Sequence, residues 1–461
     1  MAADTRTPGG KLLMAILMAA LLAVPLFAVY LLVYDRQSQS ETARASIAEG
    51  WGGPQTIAGP VLVLPYQEQV TETVDEGGRK VVRTNMVWRE LTLAPEMADI
   101  RTDLTPERRS RSIYEAVVYE AAASGTARFA LPADLARFGV SADRLAFDRA
   151  ELRFGLKDAR GLFGAPPAVS VGGRRLVLQP GKGLPSTGGS GFFTWLDASS
   201  LRGGPLTATF RFTFRGNGWL ALAPQAGDTR WTVASTWPHP SFQGGFLPTR
   251  HAETASGFTA TWRVGNLALG RSLVTSDAVQ PDARAAGGAD RYMVAAPAGD
   301  YEARVDLVSP VDLYSQVNRS VKYGFLFIGF TFMAFLMFDV IAGVLVAAAE
   351  YLLVGAGLVL FFVMLLAFAE VVGFAGAYIV AAAAIIGLLS AYSTAVLRSR
   401  RRGGYVAALL AALYGVLYIL LSLEAFSLLI GALLLFAALA AIMYLTRNLD
   451  WGGLRSAPPT A

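Results

Sequence analysis

Few residues in this chain of 461 have the types and spacings that catalysis or metal binding requires. The two histidines, His239 and His251, are twelve residues apart in a stretch rich in proline and glycine, whereas zinc sites favour closer pairs with further ligands nearby. Gly181-Lys182-Gly183 lacks the serine or threonine that follows the lysine of a phosphate-binding loop. There is no cysteine, which removes thiolate ligands, cysteine nucleophiles and disulfides. We therefore predict a protein that is not an enzyme and that uses no cofactor and no metal.

Four acidic residues lie inside or beside long apolar runs, where a buried charge is costly and often functional. They are Asp339, Glu350, Glu370 and Glu424. All four fall near the predicted ends of apolar segments, where a carboxylate can reach water. A proton or ion relay needs acids near the middle of the membrane, and the sequence has none there. The pattern therefore favours an interfacial role over ion transport.

Two clusters rich in glycine and proline carry a tryptophan each. The first is Gly50–Pro60 with Trp51, and the second is Trp237–Pro248 with His239. Such density of glycine and proline demands special backbone geometry. Each cluster is either an exposed binding loop or a tight structural corner, and the corner is the favoured interpretation.

Long apolar segments determine where these residues can lie. Leu12–Tyr34 has no charged residue, and a run of 18 or more such residues is long enough to cross a bilayer as a helix. Its length favours an uncleaved anchor over a signal peptide. Nearly 290 residues of mixed polarity follow, and then almost continuous apolar sequence. We predict six spans, at about 12–34, 323–344, 351–369, within 371–397, 404–423 and 425–446.

Positive charge in short loops predicts the orientation of these spans. Arg6 and Lys11 precede the first span, and a cluster of four arginines within 398–402 separates the fourth from the fifth. The turns at Glu370 and Glu424 carry no Lys or Arg. Both termini are therefore predicted to be cytoplasmic and the polar region periplasmic. The arginine cluster fits this topological role, with anionic lipid head groups as the alternative reason for it.

The polar region is predicted to be rich in β-strands. Apolar residues alternate with Thr or Arg over Leu206–Arg215, which is typical of a half-buried strand. Asp75–Gly78 predicts a hairpin turn. Tyr114–Phe129 can be helix or strand, Pro132–Phe147 is predicted to contain one short helix, and Pro180–Gly191 is predicted to be a flexible loop.

The predicted fold class is an α+β membrane protein. It has one N-terminal transmembrane anchor, a large β-rich periplasmic domain of two stacked sheets or a curled sheet, and a five-helix C-terminal bundle. The predicted domains are 1–35, 36–322, 323–446 and a cytoplasmic tail at 447–461. The expected partners are the lipid bilayer and other envelope proteins. The net charge of +5 does not predict nucleic-acid binding, because four of the basic residues are the arginines of 398–402.

Several polar motifs resemble the CreD family of bacterial inner-membrane proteins, also called cell envelope integrity proteins. They occur in order along nearly the whole chain, at 50–60, 107–115, 237–248, 310–324 and 444–451. The resemblance implies a role in envelope integrity and stress, and expression controlled by a two-component system of the Cre type. It also implies a strand over Tyr114–Phe129. It provides no catalytic residue to transfer to this chain.

We therefore predict a non-catalytic protein that supports the cell envelope through its periplasmic domain, with a transporter or lipid-handling bundle as the alternative. The segment Pro310–Gly324 is the most family-specific, which points to the coupling between domain and membrane. The candidate functional or interface positions are Trp51, Arg108, Arg109, Trp237, His239, Asp312, Tyr314, Gln316, Asn318 and Arg319.

Overall fold

The chain forms two compact units, Met1–Thr42 with Val311–Ala461, and Ala43–Pro310. The structure is a computed structural model that describes residues 8–76, 79–111, 114–276, 301–308, 313–341, 347–396 and 399–422, with isolated residues between 429 and 447. We call the two units the helical unit and the strand unit. The domain limits inferred from the sequence stay predictions.

Six helices lie within the described residues. They are α1 (Pro8–Trp51), α2 (Asn266–Leu269), α3 (Leu313–Lys322), α4 (Gly324–Ile341), α5 (Ala348–Val396) and α6 (Arg400–Ser422). Among the described residues, three helical stretches are long and apolar enough to cross a membrane: Gly10–Trp51, Ala348–Val396 and Arg400–Leu421. α4 covers most of the predicted second span, and most of the predicted span 425–446 lies outside the described residues.

Helix α5 contains the predicted third and fourth spans, folded against each other. The backbone leaves helical geometry at Gly373, where φ is 77° and ψ is 167°. The two halves meet side by side, since the rings of Phe361 and Tyr378 lie 5.4 Å apart. The prediction of the turn at Glu370 was therefore wrong by three residues. A positive φ is easily adopted by glycine, so the turn lies at Gly373 and the helix continues past Glu370.

The strand unit contains seventeen strands in its described part. In chain order, β1 to β17 are Gln55–Glu76, Arg79–Leu93, Met97–Arg111, Tyr114–Phe129, Ala150–Leu156, Ala168–Val171, Arg174–Arg175, Gln179–Pro180, Gly191–Leu196, Leu206–Asn217, Trp219–Ala223, Asp228–Ser235, Pro240–Gly244, Arg250–Thr254, Gly257–Gly265, Val274–Ser276 and Ala303–Leu307. One sheet has the order β13-β17-β11-β1-β5-β9-β8, with β2 paired to β1 and β16 to β2. The other has the order β14-β15-β12-β3-β4-β10-β6-β7. The β-rich prediction is confirmed.

The two sheets stack through an aromatic core. The Phe154 ring of the first sheet lies 5.4 Å from Phe210 of the second, and Phe192 lies 5.4 Å from Phe212. Phe210 and Phe212 are on β10, whose buried and more exposed residues alternate as predicted. Edge-to-face contacts of this kind add to the burial of apolar area. Of the two predicted arrangements, the structure has stacked sheets.

Local predictions had mixed outcomes. The hairpin is confirmed, because Glu76 of β1 lies opposite Arg79 of β2. Tyr114–Phe129 is strand β4, paired with β3 and β10, as the family resemblance implied. The single helix within Pro132–Phe147 was wrong: the chain makes short 3-10 turns at Leu135–Phe138 and Ala142–Arg144, and a third begins at Phe147. Gly139, with φ of 75°, ends the first turn before a helix can grow.

The segment Pro180–Gly191 is a loop, as predicted, with internal hydrogen bonds. The buried Thr187 hydroxyl donates to the carbonyl of Ser190 at 2.7 Å and also lies 3.0 Å from that of Leu184. A 3-10 turn at Pro185–Thr187 shapes its centre. These contacts provide hydrogen-bond partners for backbone carbonyls of the segment, which was predicted to be flexible from its glycine content alone.

Candidate functional site

The glycine-rich segment that follows α1 is a tight corner of the strand unit. Trp51 is the last residue of α1, and Gly52 turns the chain into β1 with φ of 113°. A Cβ at Gly52 would lie 2.9 Å from the carbonyl oxygen of Arg215 on β10. Glycine is therefore required at this position both by its backbone conformation and by the close approach of a neighbouring strand.

Trp51 packs against two arginines. The guanidinium carbon of Arg109, on β3, lies 3.6 Å from the centre of the Trp51 ring, and that of Arg215, on β10, lies 4.0 Å away. Arg215 also forms an ion pair of 2.9 Å with Glu120. Cation–π contacts contribute about 0.5–2 kcal/mol each, more when water is excluded. We call Trp51, Arg109 and Arg215 the Trp51 cluster; it joins the end of α1 to two strands.

Tyr119 extends this cluster into the core. The Trp51 indole donates to the Tyr119 carbonyl at 3.4 Å, and the Tyr119 hydroxyl donates to the Trp219 carbonyl at 2.8 Å. Burial raises the pKa of the Tyr119 phenol above its ordinary value. The hydroxyl therefore stays protonated and remains a donor over the whole physiological range.

Gln55 lies beneath the corner and is fully buried. Its amide nitrogen donates to the carbonyls of Asp158 at 3.1 Å and Arg215 at 2.9 Å, and its amide oxygen accepts from the Asp158 N–H at 3.1 Å. At Gly161 an added Cβ would lie 2.6 Å from both the Gln55 nitrogen and the Arg215 oxygen. The Gln55 amide therefore packs so closely against Gly161 that a larger residue does not fit at position 161.

Arg108 links the second predicted tryptophan to the same strand. Neighbouring residues of a strand point to opposite faces, so Arg108 and Arg109 reach different partners. The Arg108 guanidinium lies 5.4 Å from the centre of the Trp237 ring and 3.5 Å from the Glu115 carboxylate. The Trp237 indole is buried and donates to the Val308 carbonyl at 3.0 Å. The two candidate tryptophans, Trp51 and Trp237, therefore each contact a candidate arginine of β3.

The predicted histidines are not brought together as a ligand set. His239 is exposed just before β13, and His251 lies on β14 with its Nε2 3.7 Å from Glu253. Across the described ranges, no three His, Cys, Asp or Glu side chains are grouped closely enough to hold a metal ion.

Helix α3 carries the described candidate positions of the helical unit. Its buried face, Tyr314, Val317, Ser320 and Val321, packs on α5 and its neighbours. The Tyr314 hydroxyl donates to the Glu370 carboxylate at 3.1 Å. The side-chain oxygens of Gln316 and Asn318 are buried and have no hydrogen-bond partner within the described part of the chain. Arg319 lies on the same helix, and Asp312 lies outside the described residues.

Sequence reasoning did not identify several residues on which the corner depends. Gln55 belongs to the first glycine-rich cluster but was not singled out, and Arg215 ends a stretch interpreted only as a strand. Tyr119 and Glu120 gave no signal, because their partners come from 68 and 95 residues away. Glu370 was identified as an interfacial acid and a turn residue, but its contact with Tyr314 depends on how α3 folds back onto α5.

The chain is similar to known membrane proteins over nearly its whole length. The model of the family described as "Inner membrane protein CreD" matches residues 8–452. A relative from Escherichia coli strain K12, "Inner membrane protein CreD", is 31% identical over 436 residues. That match covers 94% of this chain and 91% of the relative.

Proposed function

This chain belongs to the CreD family of inner membrane proteins, and from that premise we propose that it supports cell envelope integrity and the response to envelope stress without being an enzyme. The strand unit is the acting part and lies in the periplasm. One observation carries this proposal: the Trp51 cluster packs the last turn of α1 against strands of the strand unit. The same helix contains a segment long and apolar enough to cross a membrane. The last turn of α1 is part of the strand unit, which a passive linker would not need to be.

The proposed topology has six membrane spans and both termini in the cytoplasm. The three stretches long and apolar enough to cross a membrane support part of that count. The fold-back at Gly373 supports two crossings within α5, since each half is about 24 residues and a span needs about 20. The arginines at the start of α6 support a cytoplasmic position for that end.

Reporter fusions test this orientation. We expect alkaline phosphatase to be active when fused after Gly204, in the strand unit, and inactive when fused after Arg402. A fluorescent protein that matures only in the cytoplasm should give the opposite pattern at the same two sites. Phosphatase activity after Arg402 would overturn the proposed topology.

Complementation tests which unit acts. In a strain that lacks the protein, we expect residues 1–310, which keep α1 and the strand unit, to restore most of the resistance to detergents and envelope-directed antibiotics. The full chain is the positive control, and immunoblotting of membranes checks that both forms accumulate. If the shorter chain accumulates normally but restores nothing, the strand unit does not act alone.

A transporter or lipid-handling bundle is the second candidate function. The observation that favours it is a set of buried polar side-chain atoms in the helical unit, which are expensive in a bilayer and often functional. Within the described residues, the side-chain oxygens of Gln316, Asn318, Thr331 and Ser393 have no hydrogen-bond partner. Movement of a lipid or ion by the purified protein in liposomes, lost in Tyr314→Phe with Glu370→Gln, would favour this candidate over the first.

A further inference from the structure

Strands β1 and β2 continue beyond the sandwich as a two-stranded arm, formed by residues 67–76 and 79–88. Their register runs without interruption from Leu62 opposite Leu93 to Glu76 opposite Arg79. The pairing of β5 with β1 ends at Val63, and β16 pairs with β2 only as far as Leu91. In the described part of the chain, the arm pairs only with itself. Two strands alone are marginally stable in water, so a covering partner would stabilise the arm.

The side of the arm that continues the core face of the sheet mixes charged residues with valines; its register pairs include Glu68 with Val87 and Glu72 with Arg83. Leu64, Leu91 and Leu93 face the core at the base and are buried. Further along the same side, Arg89 of β2 forms an ion pair of 3.1 Å with Glu68 of β1. Past the core, this face therefore carries charges of both signs beside its valines.

The outward face of the arm carries uncharged polar and apolar residues. Directly opposite residues of an antiparallel pair share a face, so this face carries Trp88 with Gln67, Met86 with Gln69, Thr84 with Thr71, and Val82. Trp88 is 50% exposed, Met86 60% and Val82 63%. The outward face of a sandwich strand is ordinarily polar. Here three exposed apolar side chains lie among uncharged Gln and Thr residues, and the charged residues of the arm lie on the other side, between valines.

By register and sequence, the described part of the arm places no charged residue on this outward face between its base and its tip. At the base, Glu90 is held by Arg153 at 2.6 Å, and the Arg149 guanidinium lies 5.4 Å from the centre of the Trp88 ring. The sequence at the tip is Asp75-Glu76-Gly77-Gly78-Arg79-Lys80. A charged tip is costly to insert into a hydrocarbon layer, so the apolar stretch behind it suits a protein partner better than the bilayer.

We propose that the outward face of the arm packs against the same face of a second copy of this chain. A two-fold interface packs the same surface against itself, so residues near the axis lie close to their own equivalents and a charge there would meet a like charge. The uncharged face, with its three exposed apolar side chains, has no such conflict and is complementary to itself. Sheet faces pack at about 10 Å with side chains interdigitated, which would cover Trp88, Met86 and Val82 on both copies.

The size of the face sets the strength of this contact. Seven residues at about 3.3 Å each give a face about 23 Å long and two strands wide. The area of such a face is smaller than the roughly 800 Å² that each partner buries in a stable complex. The association is therefore weak in dilute detergent and is favoured in a membrane, where confinement raises the effective concentration of the copies.

Cysteine cross-linking of the full chain in its membrane tests the proposal. The chain has no cysteine, so single substitutions report without background. Thr84→Cys places a thiol at the middle of the outward face, and Asn85→Cys, the matched control, places one on the other face of the same exposed strand. Under mild oxidation we expect a covalent dimer in at least fivefold greater yield for Thr84→Cys. Equal yields, or no dimer from Thr84→Cys, would overturn the proposal.

A second measurement keeps the test independent of disulfide chemistry. Single-molecule photobleaching of the labelled full chain in liposomes gives the dimer fraction. We expect Met86→Lys to lower this fraction at least threefold and Asn85→Lys to leave it unchanged. Both sites are exposed, so neither variant should prevent folding. An unchanged dimer fraction in Met86→Lys refutes the proposal. A Thr84→Cys product in which the cysteine is joined to a different protein also refutes it. In a variant that carries a second cysteine placed in 277–300, a disulfide between the two cysteines of one chain would refute it as well.

Discussion

Replacing Gln55 by alanine is expected to lower the free energy of unfolding of the strand unit by about 3 kcal/mol, because it leaves buried polar groups without partners. The amide makes three hydrogen bonds, two with the backbone of Asp158 and one with the carbonyl of Arg215. Alanine removes all three and leaves a cavity too enclosed for easy collapse. A loss of this size corresponds to a fall of about 6–12 °C in Tm for a unit of this length.

The measurement is thermal unfolding of the full chain in detergent, followed by the circular dichroism signal of the strands. Gln243→Ala is the matched control, because Gln243 is exposed on β13 and its amide makes one hydrogen bond, of 3.2 Å, to Ser241. It should change Tm by less than about 1 °C, as surface substitutions usually do. If the Tm of Gln55→Ala is the same as that of Gln243→Ala, the Gln55 amide does not stabilise the corner.

Gln55→Glu sharpens the same test. The substitution keeps the shape but replaces an amide donor by a carboxylate that faces two carbonyl oxygens. The carboxylate keeps one donor, the Asp158 N–H, but a buried charge with a single donor that faces two carbonyl oxygens is more costly than a missing hydrogen bond, so Gln55→Glu should destabilise at least as much as Gln55→Ala near neutral pH. Lowering the pH toward the carboxyl pKa should recover part of the loss, since a protonated glutamic acid again offers a donor.

The sequence predicts well wherever one local signal decides the outcome. The alternation over Leu206–Arg215 depends only on one strand with a buried face, and β10 has that pattern. The turn signal at Asp75–Gly78 likewise acts over a few residues, and β1 pairs with β2 around it. Apolar length similarly predicts candidate spans, because crossing a bilayer is a requirement on one segment alone.

Predictions were poorer where contacts with distant segments determine the local structure. Tyr114–Phe129 was ambiguous from its residues, because the choice of strand depends on β3 and β10 on either side. Trp51 could be selected as unusual, but its partners come from β3 and β10, and no local pattern pairs them. Arg108 and Arg109 came from the family motif, and only the fold separates their partners, Trp237 and Trp51. Long-range pairing carries no periodic signal in the sequence.

Replacing Trp51 by alanine is the substitution that tests the link between α1 and the strand unit. We expect a loss of about 2–3 kcal/mol, because the variant removes two cation–π contacts, the indole hydrogen bond and part of a packed aromatic surface. Trp195→Ala is the matched control: Trp195 is 55% exposed on β9, and its ring has one edge contact, with Phe193. The control should cost less than about 1 kcal/mol.

A double-mutant cycle separates the cation–π contact from general packing. Arg109 is the better partner: its other contact is a longer, exposed ion pair of 3.4 Å with Glu107, whereas Arg215 pairs with Glu120 at 2.9 Å and also lies over the Phe163 ring. We expect Trp51→Ala and Arg109→Ala to be non-additive by about 1 kcal/mol, as residues in contact are. Additive losses would mean that the 3.6 Å approach of Arg109 contributes little to stability. If the cluster holds α1 to the acting unit, Trp51→Ala should also reduce envelope resistance in cells at normal protein levels, whereas Trp195→Ala should not. Full resistance in Trp51→Ala would mean that the strand unit does not need this attachment.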